Sequence, residues 1–411
     1  MLTPTHQALL KLCRVRAAEA DVEAVRRLAG EVDWLELSRL AIRGGVAGLV
    51  DRNLAGLVDR NLAGLVSAPP ARPSGLLSAP PARPSGLQVP RQVRLQLTRA
   101  SLLAQAQNQV LLEHGHQLCA EAEAEGLTLI PLKGAALNLL GLYDDPGLRA
   151  QCDLDLLTRR DQVQAVDRLL RRLGFEEEQQ MHEYELRHSH HLRYRRPGAR
   201  GGAPVLECGP RARDTNCANG GVLLELHWTG LLFKFARRGE DRRILDRSLA
   251  RSVRGSAVRM LSPQDLTLLV MLHFCVHRYR AQLKWLVDVA ELGRFYADEL
   301  RWDQIWALAR RVGALRALTL AGALARELLD APIPEPGGRA PLLLPVLRRL
   351  NPVESLVTSQ PQPSWAERAL IDLLEYDSPL HGGRFLLAKG TELLERYRGI
   401  RLPVLRRHPL E

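Results

Sequence analysis

Closely spaced cysteines, aromatic residues and long apolar runs are scarce or absent in this sequence, and each scarcity disfavours a class of protein. The six cysteines form no CxxC pair, so we expect reduced, mostly buried thiols; a disulfide or metal role for Cys208 and Cys217 is the disfavoured alternative. Aromatic residues make up 5% of the chain, and no RNA-binding motif with interleaved aromatics is visible. No run of about 18 apolar residues occurs, which predicts that no segment spans a membrane. The N-terminus lacks the order of a signal peptide, so we expect a cytoplasmic protein.

The chain is strongly basic because it is rich in arginine. Its formal net charge is +11, yet its 57 basic residues include only five lysines, Lys11, Lys133, Lys234, Lys284 and Lys389. A basic chain favours a polyanionic ligand such as a nucleotide over a cationic one. Nucleic acid is a second polyanionic partner, weakly supported because a GC-rich genome also enriches arginine. The charge alone does not decide between these interpretations.

The length of 411 residues allows two or three domains. Apolar spacing predicts an N-terminal helical region over 1–66. The segment DRNLAGLV occurs at 51–58 and again at 59–66, and SAPPARPSGL occurs at 67–76 and again at 78–87. We interpret these copies as slippage duplications in a surface loop, with an irregular linker over 67–90. A helical domain is expected over 261–350, and a linker with a helical tail over 351–411.

The middle of the chain, 91–260, reads as a compact α/β core with a lead-in helix that ends at Gly126. Strand-like runs lie at 128–132, 153–157, 187–196 and 221–228, and helix-like runs at 135–142 and 160–173. Ser262, Pro263 and Asp265 then predict a capped helix start. The fold class is therefore α+β, with a small mixed sheet flanked by N-terminal and C-terminal helical regions.

Three acids in this core predict a metal site. Alternate residues of a strand share a face, so Asp153 and Asp155 should lie side by side, with a third carboxylate, Glu225, on a separate strand. Close carboxylates repel each other unless a cation lies between them. Oxygen ligands suit Mg²⁺, which keeps coordination positions for phosphate, and Mn²⁺ is also possible. Solvent-facing acids on a half-exposed strand are the alternative for the first two residues.

The turn before these acids suits a phosphate. In LKGAA, Lys133 and Gly134 stand between a strand and a helix, where backbone N–H groups of Gly134 and Ala135 can approach phosphate oxygens. Lys133 and Arg149 are the expected cationic partners of the phosphate. Lys133 could instead simply end a strand in water, and Arg149 could pair with Asp144 or Asp145.

The order of glycine turn, helix, DxD strand and later strand acid resembles the DNA polymerase beta-like nucleotidyltransferase superfamily. More narrowly, LKG, then YDDPGLR, then DLDLL and finally ELHW resemble a bacterial nucleotidyltransferase family whose members are often functionally uncharacterised. The resemblance runs from about residue 100 to about residue 310. It implies a nucleotidyltransferase core in which Asp153, Asp155 and Glu225 bind metal.

Three departures from the pattern leave all three acids in place. Ala135 stands where the superfamily has serine, and Cys152 replaces a small residue before the first aspartate. The separation of Gly134 and Asp153, 153 − 134 = 19 positions, is longer than the superfamily spacing. These departures weaken any assignment of the phosphate that the turn holds.

Histidines near these motifs have structural alternatives. His227 alternates to the side of Glu225, so it is expected to support the metal ligands, or else to pack. His188, His190 and His191 are interpreted as an exposed strand because no ligand-spaced partner follows. For His273 and His277, one helical turn apart, packing or lining of a nucleotide cleft is expected, and Asp288 could face the same cleft.

The resemblance implies a metal-dependent nucleotidyltransferase that moves an NMP from an NTP, ATP among them, to the hydroxyl of an unknown acceptor, with release of pyrophosphate. The alternatives are an inactive nucleotide-binding adaptor or regulator of a biosynthetic pathway, or an RNA-directed transferase. Intact carboxylates argue against the first, and only the arginine excess supports the second.

Overall fold

The computed structural model describes residues 2–66, 87–178, 191–198, 221–231, 235, 239–277, 282–338, 342–358, 364–378, 380–383, 385–387 and 390. Most of the expected linker at 67–90 therefore lies outside the described residues. The same is true of Cys208, Cys217, His188 and His190, for which the predictions above are not examined further.

The N-terminal region is helical, as predicted. Its helices are α1 (Pro4–Leu12), α2 (Glu19–Leu28), α3 (Trp34–Arg43), α4 (Ala47–Val66) and α5 (Arg91–Ala124). Side-chain oxygens of Thr3 and Asp33 cap the starts of α1 and α3. The long helix α5 stops where Gly126 adopts a φ of 69°, which confirms the predicted end.

The interpretation of the tandem copies as a surface loop is wrong for DRNLAGLV. Both copies lie within helix α4, and the first copy contributes Leu54 and Leu57 to the hydrophobic core. These leucines are three positions apart, so they share one helical face and pack against α5. The near-perfect repetition suggested slippage in a loop, but the spacing of the leucines is that of a helical face.

A five-stranded mixed sheet forms the centre of the fold. Its strands are β1 (Leu129–Pro131), β2 (Leu154–Thr158), β3 (Glu176–Glu177), β4 (His191–Arg196) and β5 (Val222–His227), in the order β1-β2-β5-β4-β3. The β2–β5 pair is parallel and the other pairs are antiparallel. Every residue of β2 is buried. The predicted mixed sheet is thus confirmed.

Two helices connect the strands. Helix α6 spans Lys133–Leu139, and α7 spans Val163–Arg172 after a 3₁₀ turn at Arg160–Gln162. The predicted helix at 135–142 thus starts two residues earlier and ends three residues earlier. It ends early because Gly141 adopts a φ of 71°.

A helix and a hairpin were missed in the sequence. Helix α8 spans Glu240–Asp246, and β6 (Leu249–Val253) pairs with β7 (Ser256–Met260). Arg254 and Gly255, between the strands, both have positive φ. Such a two-residue turn usually carries Asn-Gly or Asp-Gly, and arginine at the first position hid the hairpin signal.

The C-terminal region is helical again. It contains α9 (Pro263–Val276), α10 (Leu283–Phe295), α11 (Trp302–Val312), α12 (Leu315–Leu329), α13 (Leu344–Leu350), α14 (Glu354–Val357) and α15 (Trp365–Glu375). Ser262 accepts a hydrogen bond from the backbone of Asp265, which confirms the predicted cap of α9. Helix α9 packs on α10, α12 and α6, so the C-terminal region is continuous with the core. Among the described residues, no helix is long and apolar enough to cross a membrane.

Helix α4 provides a test of this packing with an internal control. A Cβ atom on Gly48 would lie 2.0 Å from the carbonyl oxygen of Gly147, whereas a Cβ on Gly56 would meet nothing within 4 Å. Gly48→Ala should therefore push α4 from the turn at Pro146–Leu148 and lower the free energy of unfolding by roughly 1–3 kcal/mol. Gly56→Ala should raise it by about 0.5–1 kcal/mol, because alanine favours a helix. Urea unfolding of both variants measures the difference, and equal effects would contradict the packing.

Candidate active site

The turn between β1 and α6 brings Lys133 to strand β2. The backbone N–H of Leu132 donates to the carbonyl of Asp155 at 2.9 Å. Lys133 follows with a φ of 49°, a left-handed conformation that is unfavourable for a lysine. Its Nζ lies 2.7 Å from Asp155 Oδ1. The lysine does not end the strand in water, because only 17% of its side chain is exposed.

Gly134 leaves room for two side chains that cross the turn. A Cβ atom at this position would lie 2.4 Å from Nη1 of Arg149 and 2.9 Å from Oε1 of Gln151. The φ of Gly134 is not positive, so the backbone conformation alone would allow another residue. Glycine is required here because the two side chains approach too closely for a Cβ atom. Ala135 follows as a buried residue of α6.

The parallel register of β2 and β5 brings the acids together. Asp155 lies opposite Glu225, and Leu157 lies opposite His227. The ligand atoms of Asp155, Glu225 and His227 all lie within 4.8 Å of one another. Carboxylate oxygens from neighbouring strands are a donor set that fits Mg²⁺ or Mn²⁺. The described residues therefore contain a possible metal centre at the predicted pair Asp155 and Glu225.

His227 directly contacts both of these acids. Its Nε2 lies 2.8 Å from Asp155 Oδ1 and 3.5 Å from Glu225 Oε2. Burial lowers the pKa of His227 and so does Lys133, but hydrogen bonds to the two carboxylates outweigh them and raise it. The histidine can therefore donate to Asp155 and orient it. Its supporting role toward metal ligands stays a prediction, and the geometry also makes His227 a possible third ligand.

Asp153 lies just before the first residue of β2 and outside the group formed by Asp155, Glu225 and His227. Burial and the neighbouring charges of Asp155 and Glu225 raise its pKa to about 7. This carboxylate is thus close enough to interact with the other two. Its role as a metal ligand stays a prediction.

Lys133 is the counter-ion of these acids. Burial favours its neutral form, but Asp155, Glu225 and Asp153 raise the pKa of Lys133 to about 12. Burial likewise raises the pKa of Asp155, but Lys133 and His227 outweigh it and hold this pKa below its ordinary value. Hydrogen bonding to His227 and the charge of Lys133 similarly hold the pKa of Glu225 well below its ordinary value, against the effect of burial. The site is a buried charge cluster in which the ammonium of Lys133 supplies the positive charge between the acids.

Two residues of β4 complete this face and were not predicted as site residues. Arg193 pairs in register with Glu225, and its Nε lies 3.3 Å from Glu225 Oε1. His191 lies opposite His227, with its Nε2 3.8 Å from Glu225 Oε1. Burial lowers the pKa of His191 to about 4, so this ring is neutral at neutral pH. The alternation of HLRYRR was the available signal, since Leu192 and Tyr194 are buried between these polar residues.

Arg149 binds neither Asp144 nor Asp145, so that alternative is wrong. Its Nε and Nη2 each donate to the carboxylate of Asp288 at 2.7 Å, and the hydroxyl of Tyr143 donates to Asp288 Oδ1 at 2.6 Å. Asp144 instead pairs with Arg52, and Asp145 accepts from the backbone of Gly147. Asp288 therefore links helix α10, through Arg149, to the turn at Lys133 and Gly134. The phosphate role of Arg149 stays a prediction.

The two histidines of α9 lie with Trp285 of α10 in a cluster of rings. The His277 ring stacks on Trp285 with a centroid distance of 4.1 Å, and His273 meets Trp285 edge-on at 4.9 Å. Burial lowers the pKa of His273 well below its usual value, and Lys133, Arg149 and Lys284 lower it further. The cluster is therefore near the turn at Lys133. This position is compatible with both expected roles of His273 and His277, which are packing and lining of a nucleotide cleft.

Comparison with known proteins gives a family and a distant structural likeness. A family model described as "Uncharacterised nucleotidyltransferase" matches residues 30–330. No curated protein matches the chain. One matching solved structure is the crystal structure of an antigenic nucleotidyltransferase-like protein from Paracoccidioides brasiliensis, with 15% identity and a TM-score of 0.27, over 57% of this chain and 92% of that chain.

The buried pair of Arg149 and Asp288 generates a stability prediction. Only 4% and 3% of these side chains are exposed. Asp288→Asn removes the negative charge and leaves a buried guanidinium without its counter-ion, so it should lower the free energy of unfolding by about 3–5 kcal/mol. Asp144→Asn is the control, because Asp144 is 64% exposed in its pair with Arg52, and it should change this free energy by less than about 1 kcal/mol. Chemical denaturation of both variants tests this, and similar small losses would show that the buried pair is not structural.

Proposed function

The chain belongs to the uncharacterised nucleotidyltransferase family, and from this premise we propose that it transfers an NMP from an NTP to an acceptor hydroxyl, with release of pyrophosphate. The observation that carries the proposal is the register of β2 and β5, which sets Asp155 opposite Glu225 with Lys133 beside them. A group of buried acids with a cation in hydrogen-bond contact is suited to a metal and a polyphosphate.

Asp155 and Glu225, together with Asp153, are the proposed ligands of Mg²⁺ or Mn²⁺. The fit rests on the carboxylate oxygens of Asp155 and Glu225, which lie within 4.8 Å of each other and of His227. When bound, such an ion neutralises charge on the transferring phosphate and on the leaving pyrophosphate. His227 keeps the carboxylate of Asp155 in place through their hydrogen bond.

Lys133 is the proposed cationic partner of the triphosphate. The three acids raise the pKa of Lys133, so its ammonium stays charged. A phosphate bound beside the acids would therefore meet a positive charge. The backbone N–H groups of Gly134 and Ala135, at the start of α6, are the proposed donors to the phosphate oxygens. Arg149 is the second proposed cation, because its guanidinium lies against Gly134. Asp288 holds this guanidinium in place by accepting hydrogen bonds from its Nε and Nη2. Arg193, 36% exposed beside Glu225, is an additional cation on the same face.

The reaction forms one phosphorus–oxygen bond and breaks another. The acceptor oxygen attacks the α-phosphorus, and the bond to the β-phosphate breaks with its electron pair passing to pyrophosphate. The acceptor's proton goes to a carboxylate, for which Asp155 and Glu225 are the candidates on the site face. Positioning and charge neutralisation are the main demands of this chemistry, and the charged face meets both.

NTP binding measured by calorimetry, with and without Mg²⁺, tests the proposal. The wild type should bind an NTP, with ATP tried first, only when the metal is present. Asp153→Asn/Asp155→Asn should weaken this binding by at least about 100-fold, because carboxylates that hold the ion are lost. Asp161→Asn is the matched control: this aspartate is 68% exposed in the 3₁₀ turn before α7, and its loss should leave binding unchanged.

Each other outcome has a distinct meaning. Tight binding that the double substitution leaves intact would place the nucleotide elsewhere and contradict the proposed site. Metal-dependent binding without pyrophosphate release, for any acceptor class tried, would favour the adaptor. A thermal unfolding curve for each variant separates loss of ligand binding from loss of fold.

A further inference from the structure

A cluster of three rings lies between helices α9 and α10. His277 and Trp285 are stacked, with centroids 4.1 Å apart and ring planes at 28°. His273 stands edge-on to both, at 4.6 Å from His277 and 4.9 Å from Trp285. All three residues are only partly buried, unlike the core ring pair of Phe235 and Tyr376, which is almost fully buried. The cluster thus retains ring surface that the described part of the chain does not cover.

The cluster is beside the cations of the proposed phosphate site. Lys133, Arg149 and Lys284 are all near enough to His273 to lower its pKa. Lys284 precedes Trp285 on α10, and its Nζ donates to the carbonyl of Ala150, the residue after Arg149, at 2.8 Å. Lys133 and Lys284 both act on the carboxylate of Asp153. The ring cluster therefore lies next to Lys284, on a helix pair that packs against the helix beginning at Lys133.

We infer that the partly exposed ring of Trp285, which is backed by His277, holds the nucleobase of the NTP. This inference rests on the proposed function and adds the part of the substrate that the acids and Lys133 do not contact. A nucleobase is a neutral π surface joined to a polyphosphate, so it matches a ring surface next to cations. Stacking uses the ring face of any base, and the larger purines gain more contact than pyrimidines. The site therefore accepts NTPs generally and prefers purine NTPs.

Trp285→Leu tests the inference, with the metal complex of tripolyphosphate as the second probe. Leucine keeps apolar volume but removes the ring, so Mg²⁺–ATP and Mg²⁺–GTP should bind roughly tenfold more weakly, the range expected for one stacked base. Mg²⁺–tripolyphosphate has no base and should bind as it does to the wild type. Trp285→Phe keeps a ring and should retain most of the NTP affinity.

Trp302→Leu is the matched control. Trp302 is also a partly buried tryptophan beside another ring, that of Trp306 at 5.8 Å, but it lies on α11. Its replacement should change neither NTP nor tripolyphosphate binding. If Trp285→Leu does not fold, quenching of tryptophan fluorescence by ATP can be compared between the wild type and Trp285→Phe, and loss of the quenching in the latter supports the stack.

The outcomes distinguish this inference from the proposed function. Equal weakening of NTP and tripolyphosphate by Trp285→Leu would show that the rings only pack the site, and unchanged NTP binding would show that the base lies elsewhere. Either result overturns the inference and leaves the proposed function in place. A wild type that binds neither probe would overturn both.

Discussion

The parallel pairing of β2 with β5 is the constraint on which the site depends. Its register sets Asp155 opposite Glu225, so two carboxylates face the same way inside the protein. Placing like charges together in a buried position is unfavourable unless cations and hydrogen bonds compensate. Lys133 and His227 supply this compensation within the chain. Because Lys133 reaches Asp155 from a left-handed backbone conformation, the turn itself is shaped to bring a cation to the acids.

A second buried charge pair connects this site to the C-terminal helices. Arg149 packs against Gly134 and binds Asp288 of α10, and Tyr143 donates to the same carboxylate. Three segments distant in sequence therefore meet here: the turn at Lys133 and Gly134, the YDDPGLR segment and α10. Trp285 lies on that same helix, one turn before Asp288. A shift of α10 would thus move both Asp288, which holds Arg149 at the turn, and Trp285 of the ring cluster.

The sequence predicted the parts of this arrangement that depend on local patterns. Alternation in DLDLL and LLELHW located the strands and the acids Asp155 and Glu225, and the Lys-Gly turn located the cation. The rest depends on contacts between distant residues. Asp153 lies one residue before β2, although the alternation placed it in the strand. Alternation does not mark where the hydrogen-bonded part of a strand begins. The partner of Arg149 lies 139 residues away, and the approach of Arg193 to Glu225 requires the register of β4 with β5. The first DRNLAGLV copy is helical and its leucines pack on α5. That contact is between distant segments, so the repeat alone does not predict it.

The most direct test of the central claim is a crystal structure with Mn²⁺ and an NTP analogue that carries a methylene bridge between its α- and β-phosphates. The anomalous signal of Mn²⁺ locates the ion without assumptions, and the bridge prevents transfer. The account predicts manganese bound to the carboxylate oxygens of Asp155 and Glu225, with the triphosphate beside Lys133. Manganese and nucleotide bound at another place, with Lys133 still paired to Asp155, would contradict it.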